Sequence, residues 1–127
     1  MTYFFNKTIP SSFEETLEKV TNALKEEGFG VLTEIDVKET LKKKLDVDTK
    51  KYKILGACNP HFAWKAIQME DKIGLMLPCN VLVEESGDQT EVSVIDPVVS
   101  MQGVQNDNLK ETAAEVRNKL KNVLESL

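Results

Sequence analysis

The tripeptide Ser86-Gly87-Asp88 sits between two extended apolar runs, Ile73 to Glu85 and Glu91 to Ile95. Its glycine permits positive φ, the backbone geometry that a tight hairpin demands. Two strands joined this closely pair antiparallel, so no other short segment constrains the fold as much. Upstream of it the chain switches repeatedly between extended and helical periods. Thr2 to Ile9 alternates around Tyr3, Phe5 and Ile9 as a strand, which Pro10 ends because proline cannot donate to a ladder. Ser11 with Glu14, or Ser12 with Glu15, makes a capping box ahead of Phe13, Leu17, Val20 and Leu24, whose spacing is helical. Gly28 closes that helix, and Phe29, Val31, Thr33 and Ile35 alternate as a second strand.

Asp36 with Glu39 caps a short lysine-rich helix bearing Val37, Leu41 and Leu45 on one face. Tyr52 to Cys58 is a third extended run. Asn59 with Pro60 starts a third helix, since Asn caps open amides and proline at the first position gives up no bond. That helix carries Phe62, Ala63, Ala66 and Ile67. After the hairpin, an irregular stretch from Asp96 to Gln105 leads to a last helix opened by Asn108 with Glu111. Leu109, Ala113, Val116, Leu120, Val123 and Leu127 recur along it at helical spacing.

The order β-α-β-α-β-α-β-β-α predicts an α+β two-layer sandwich, a mixed or antiparallel sheet of about five strands with helices on one face. A doubly wound parallel sheet would need continuous apolar strands and glycine-rich phosphate turns, and neither GxGxxG nor GxxxxGK[ST] occurs. The 127 residues contain no repeat or linker and read as one domain, 1–127, large enough to bury a core without staples. No apolar stretch approaches the ~20 residues needed to cross a bilayer. The N-terminus also lacks the pattern of a secretory leader, so the expected location is the cytoplasm and no membrane partner is expected. The formal net charge is −5, and its positive charge comes from lysines and Arg117 alone, which speaks against nucleic acid as a partner. Lysines 38, 42, 43, 44, 50, 51 and 53 form a local basic segment, read as a solvated face.

The most unusual local feature is a pair of similar segments, Gly56-Ala57-Cys58-Asn59-Pro60 and Leu77-Pro78-Cys79-Asn80-Val81. If their strands are neighbours, Cys58 and Cys79 form a candidate thiol site, because thiols near a positive helix terminus or a second thiol become nucleophiles or soft-metal ligands. Cys58, just before a helix N-terminus, is the better placed; small apolar packing groups are the competing reading for both. Two thiols do not complete a zinc site, so no metal or cofactor is expected. Asn59, Asn80, Glu34, Asp36 and His61 are candidate ligand-binding positions. His61, three residues after Cys58, raises a Cys/His nucleophile pair. Glu34 and Asp36 with Asp96 raise a carboxylate cluster, although Asp36 already has a capping role. Trp64, with Met69 and Met76 nearby, is expected to pack in the core, with a ligand pocket or subunit contact as the alternative. No triad, phosphate loop or complete metal set marks an enzyme.

Several longer motifs in order, GFGVLTEIDV, LGACNP, LPCNV and VSVIDP, resemble domain-of-unknown-function family 302, a set of small, mostly prokaryotic proteins. The resemblance runs from about Thr8 to the C-terminal helix. It implies an α+β fold with a curved sheet packed by helices on one side, similar to the TATA-binding-protein-like architecture, and a homodimer. It implies no activity. By motif match its characteristic positions here include Gly28, Phe29, Gly56, Cys58, Asn59, Pro78, Cys79, Asn80 and Asp96. The reading that results is a homodimeric, non-enzymatic small-ligand binding or interaction module. The alternative is thiol-based handling of sulfur, soft metal or redox signals through Cys58 and Cys79.

Overall fold

Alternating valines in two adjacent runs, Val81 and Val83 against Val92 and Val94, are all fully buried, and they build the centre of a sheet. In the computed structural model, which describes residues 2–127, five strands form this sheet: β1 (Phe4–Ile9), β2 (Gly30–Asp36), β3 (Tyr52–Cys58), β4 (Cys79–Ser86) and β5 (Gln89–Ile95). Their spatial order is β1-β5-β4-β3-β2, with every neighbouring pair antiparallel. The helices are α1 (Phe13–Glu26), α2 (Val37–Leu45), α3 (Pro60–Met69), the four-residue α4 (Pro97–Ser100) and α5 (Leu109–Glu125).

Helices α1 and α5 bury their apolar stripes against the valine face of the sheet. Val20, Leu24, Leu120 and Val123 are all fully buried there, joining Leu55 and Phe13 in one core. A second, smaller cluster of Ala66, Ile73 and Leu109 ties α3 to the start of α5. By strand alternation Ile54, Asn80 and Leu82 point to the opposite face, where they are partly or fully exposed. The architecture is thus α+β, as the sequence implies.

Local chemistry accounts for most boundaries. Ser12 is the N-cap of α1 and accepts from the Glu15 amide at 3.2 Å. The helix ends in a Schellman pattern. Gly28, at φ +86°, donates to Lys25 O and Phe29 donates to Leu24 O, so the glycine is required by the backbone itself. Gly87, at φ +63°, and Asp88 make the hairpin turn between Ser86 and Gln89.

Three expectations change. The run from Ile73 to Glu85 is not one strand: Asp71–Met76 is a 3-10 helix, a cis Leu77–Pro78 bond follows, and pairing starts at Cys79. An apolar run carries no period of its own, and here Ile73 buries against Ala66 and Leu109 instead of joining a ladder. Asn108 flanks α5 without a side-chain cap bond, so the Asn108–Glu111 box does not form. Trp64 is 62% exposed and leaves the core to smaller neighbours.

Candidate functional site

The antiparallel order brings distant segments to one end of the sheet. Gly30 pairs with Cys58 at the β2–β3 end, and Ala57 pairs with Cys79 at the β3–β4 end. The turn Asp96-Pro97 leaves β5 at the same end. Gly56 lies within this corner, packed so closely that a Cβ there would overlap Thr33 Oγ1 and come within 2.8 Å of Pro78 Cγ. Gly28 is equally confined: a Cβ would meet Asn59 Nδ2 at 3.0 Å.

These segments wall a small cavity of about 40 Å³ between the strand ends, α3 and α5. Its sides are apolar, chiefly Phe29, Phe62, Leu77, Cys79, Met101 and Val116, and none of its lining side chains is charged. Two polar side chains share the lining, Asn59 and Thr112, 8% and 4% exposed. Neither Asn59 Oδ1 nor Thr112 Oγ1 has a hydrogen-bond partner. Both atoms are enclosed by protein, as are two others without a partner among the described residues, Thr16 Oγ1 and Arg117 Nε. Asp96 supports the wall. Its carboxylate is buried, caps α4 by accepting from the Val98 amide at 3.0 Å, and faces Arg117 Nε at 3.4 Å.

The predicted site residues separate. Asn59 does occupy the N-cap position of α3, but its side chain makes no cap bond; Nδ2 donates instead to Glu27 O at 3.3 Å. Cys58 and Cys79 both contribute to the lining, yet the two cysteines are not close. Cys79 stands opposite Ala57 on β3, while Cys58 is paired with Gly30 of β2. Burial, and secondarily the field of Cys58, pushes the Cys79 thiol up to about 11, the reverse of a reactive thiolate. The paired-thiol reading is therefore overturned. His61 is exposed and does not line the cavity, which removes the Cys/His pair. Asn80, next to Cys79 on β4, is exposed on the opposite face of the sheet and joins no site with Asn59.

The carboxylate cluster does not form either. Glu34 is bound to Lys53 Nζ at 2.7 Å, an ion pair that raises the Lys53 pKa chiefly through the hydrogen bond. Asp36 caps α2 by accepting from the Glu39 amide at 2.9 Å. Both lie on β2, three strand spacings from β5 and thus roughly 14 Å from the Asp96 segment. Among the described residues no group of three His, Cys, Asp or Glu side chains could hold a metal ion. The basic segment is largely ion-paired, with Lys42 on Asp46, Lys43 on Glu39 and Lys51 on Glu14.

Thr112 is the residue that motif reading missed. It lies on the buried stripe of α5, at helical spacing from Leu109, Ala113 and Val116, and a hydroxyl on that stripe was the available signal. Among the described residues no helix is long and apolar enough to cross a membrane.

A family model described as "Domain of unknown function DUF302" matches residues 5–127. No curated protein matches the sequence. Among solved structures, the chain is similar to the crystal structure of an uncharacterized conserved protein DUF302 from Bacillus stearothermophilus. The two share 28% identity and a TM-score of 0.92 over 99% of this chain and 98% of that one.

Proposed function

The chain belongs to the DUF302 family, and from that premise we propose that it is a non-enzymatic, homodimeric module that binds a small ligand in the cavity between α3, α5 and the strand ends. The observation that carries this reading is convergence. The GFG, CNP, PC and DP segments lie far apart in sequence, yet each supplies a wall or a close-packed support of one apolar cavity. Ligand sites are typically concave, mostly apolar and provided with a few placed polar groups, and this cavity has that composition on a small scale. What supports self-association is exposed apolar surface: Trp64 at 62% and Leu75 at 86%, with Ile67 and Met76 also exposed. Cys58 and Cys79 are unpaired thiols, in keeping with action in the reducing cytoplasm.

Thermal unfolding with a set of neutral molecules of two to four heavy atoms, about what 40 Å³ admits, tests the binding, and sedimentation equilibrium tests the dimer. The expected result is a ligand-dependent rise in Tm that disappears in the Ala113→Leu variant, whose larger side chain fills the cavity, together with a species of twice the chain mass. No rise for any compound, or a rise that survives in Ala113→Leu, contradicts the binding reading. A monomer at tens of micromolar contradicts the dimer.

A further inference from the structure

Resting on that cavity reading, we infer that the cavity is the inner end of a longer site that opens at Met101, and that its ligand is a free single-tailed amphiphile with an anionic head. The two parts of the site are adjacent. A surface groove of about 530 Å³ between residues 98–106 and α5 shares Met101, Leu109 and Ala113 with the inner cavity. Of these three, Leu109 is 3% exposed and packs with Ala66 and Ile73, and alanine has no rotamer to change. Met101 is half-buried and unbranched, with three rotatable bonds, so it is the partition that moves. Its backbone is held locally. Among the described residues, 99–104 hydrogen-bond only within the segment 96–106. That segment is fastened at its ends, by the buried Asp96 and by Asn106 Nδ2, which donates to Met69 O at 2.8 Å and to Glu70 Oε1 at 3.2 Å. Between those anchors it can shift without breaking a hydrogen bond to the sheet or to α5.

The linings select the ligand class. No charged side chain lines the inner cavity, and the unpartnered oxygens of Asn59 and Thr112 in its wall have almost no accessible surface, so what enters is apolar. At about 40 Å³ it admits a few heavy atoms, the end of a tail and not a ring, since benzene takes a cavity of about 150 Å³. The groove, at about 530 Å³, falls within the size range of ordinary ligand sites. Val98 and Val104 continue the apolar surface there, and Lys110 is the one charged side chain in the groove lining. No carboxylate lines it. Lys110 Nζ is paired with Asp107 Oδ1 at 3.1 Å, and both side chains are more than four-fifths exposed, 81% and 92%, so a ligand anion displaces that contact at little cost. Charge complementarity thus favours an anionic head, and the exposure of Lys110 keeps that head hydrated while the tail is buried.

The test titrates sodium octanoate and 1-octanol, which share a tail length and differ in the charge of the head, into the full-length protein. Methyl resonances are followed by NMR: Ala63 and Val116 line the inner cavity alone, Val98 and Val104 the groove alone, and Met101 both. Octanoate is expected to shift all of them saturably with one Kd. Lys110→Gln, at an exposed position, is expected to raise that Kd about two- to fivefold, the worth of one exposed ion pair, and to leave the Kd of 1-octanol unchanged. Saturable shifts at Val98 and Val104 without Ala63 and Val116 overturn the joined site. An equal change for both compounds in Lys110→Gln, or no change for octanoate, overturns the anionic head. No saturable shift for either compound overturns the whole inference, while the cavity reading is judged separately by the rise in Tm with compounds of about two to four heavy atoms. Vesicles of phosphatidylglycerol test the other source of such a tail: the protein is expected to stay in the supernatant when they are pelleted, and pelleting with them overturns the free ligand.

Discussion

Asn59 is held where it is by Gly28, because the missing Cβ lets the amide lie against the end of α1 and reach Glu27 O. Sequence logic assigned it to capping, since an Asn before Pro at a helix start is the usual cap. The competing acceptor is 32 residues away in the chain, beyond what local spacing can show. Asp36 went the other way: its cap partner, the Glu39 amide, is three residues distant, and the motif alone was enough. Titration at the residue scale is led by a different pair. Glu91 on β5 stands opposite Glu84 on β4, and desolvation, then the hydrogen bond and charge of Glu84, raise its pKa above the ordinary 4.5, against the lowering effects of Lys50 and Asn6. The folded chain therefore holds this proton to higher pH than the unfolded chain does. Stability tied to Glu91 is undiminished below the unfolded pKa and is lost as pH rises through the raised one. Glu91→Gln is expected to be more stable than the native chain at pH 7 and equal to it near pH 3, measured by urea midpoints at both pH values. A variant less stable at pH 7 would contradict the raised pKa.

At the scale of elements, pieces with local signals were legible and their pairings were not. The capping residues Ser12 and Asp36, the Gly28 stop and the Gly87 turn each act within a few residues and were readable. Strand order is different, because period-two alternation fixes which face a residue takes but not which strand lies beside it. Nothing in β1 and β2 marks them as the two edges of the sheet. The mistaken strand over Ile73–Met76 has the same origin, an apolar run whose burial partner was another helix. Gly56 tests the corner where β2, β3 and the turn before β4 meet. Gly56→Ala places a methyl into Thr33 Oγ1 and Pro78 Cγ, and is expected to cost about 1–3 kcal/mol as overpacking. Adding Thr33→Ala removes the nearer clash, so the double variant should lose less than the sum of the two single losses. Additive losses in urea unfolding would show that the corner is not packed in this way.

For the whole molecule, the sheet and its two long helices supply the core, and the function is placed at one of its ends. The carboxylates and the lone histidine dispersed once the chain folded, and the two thiols, though both line the cavity, are not close. The motif segments came together instead. The site was thus half legible: its walls lay within the recognised motifs, while the geometry that leaves Asn59 Oδ1 and Thr112 Oγ1 unpartnered required the fold. The most direct measurement is a crystal structure of the chain soaked with neutral fragments of a few heavy atoms. The account predicts fragment density inside the cavity, bounded by Phe29, Phe62 and Val116. Density for such fragments only elsewhere on the surface, with this cavity holding nothing beyond water, would contradict it.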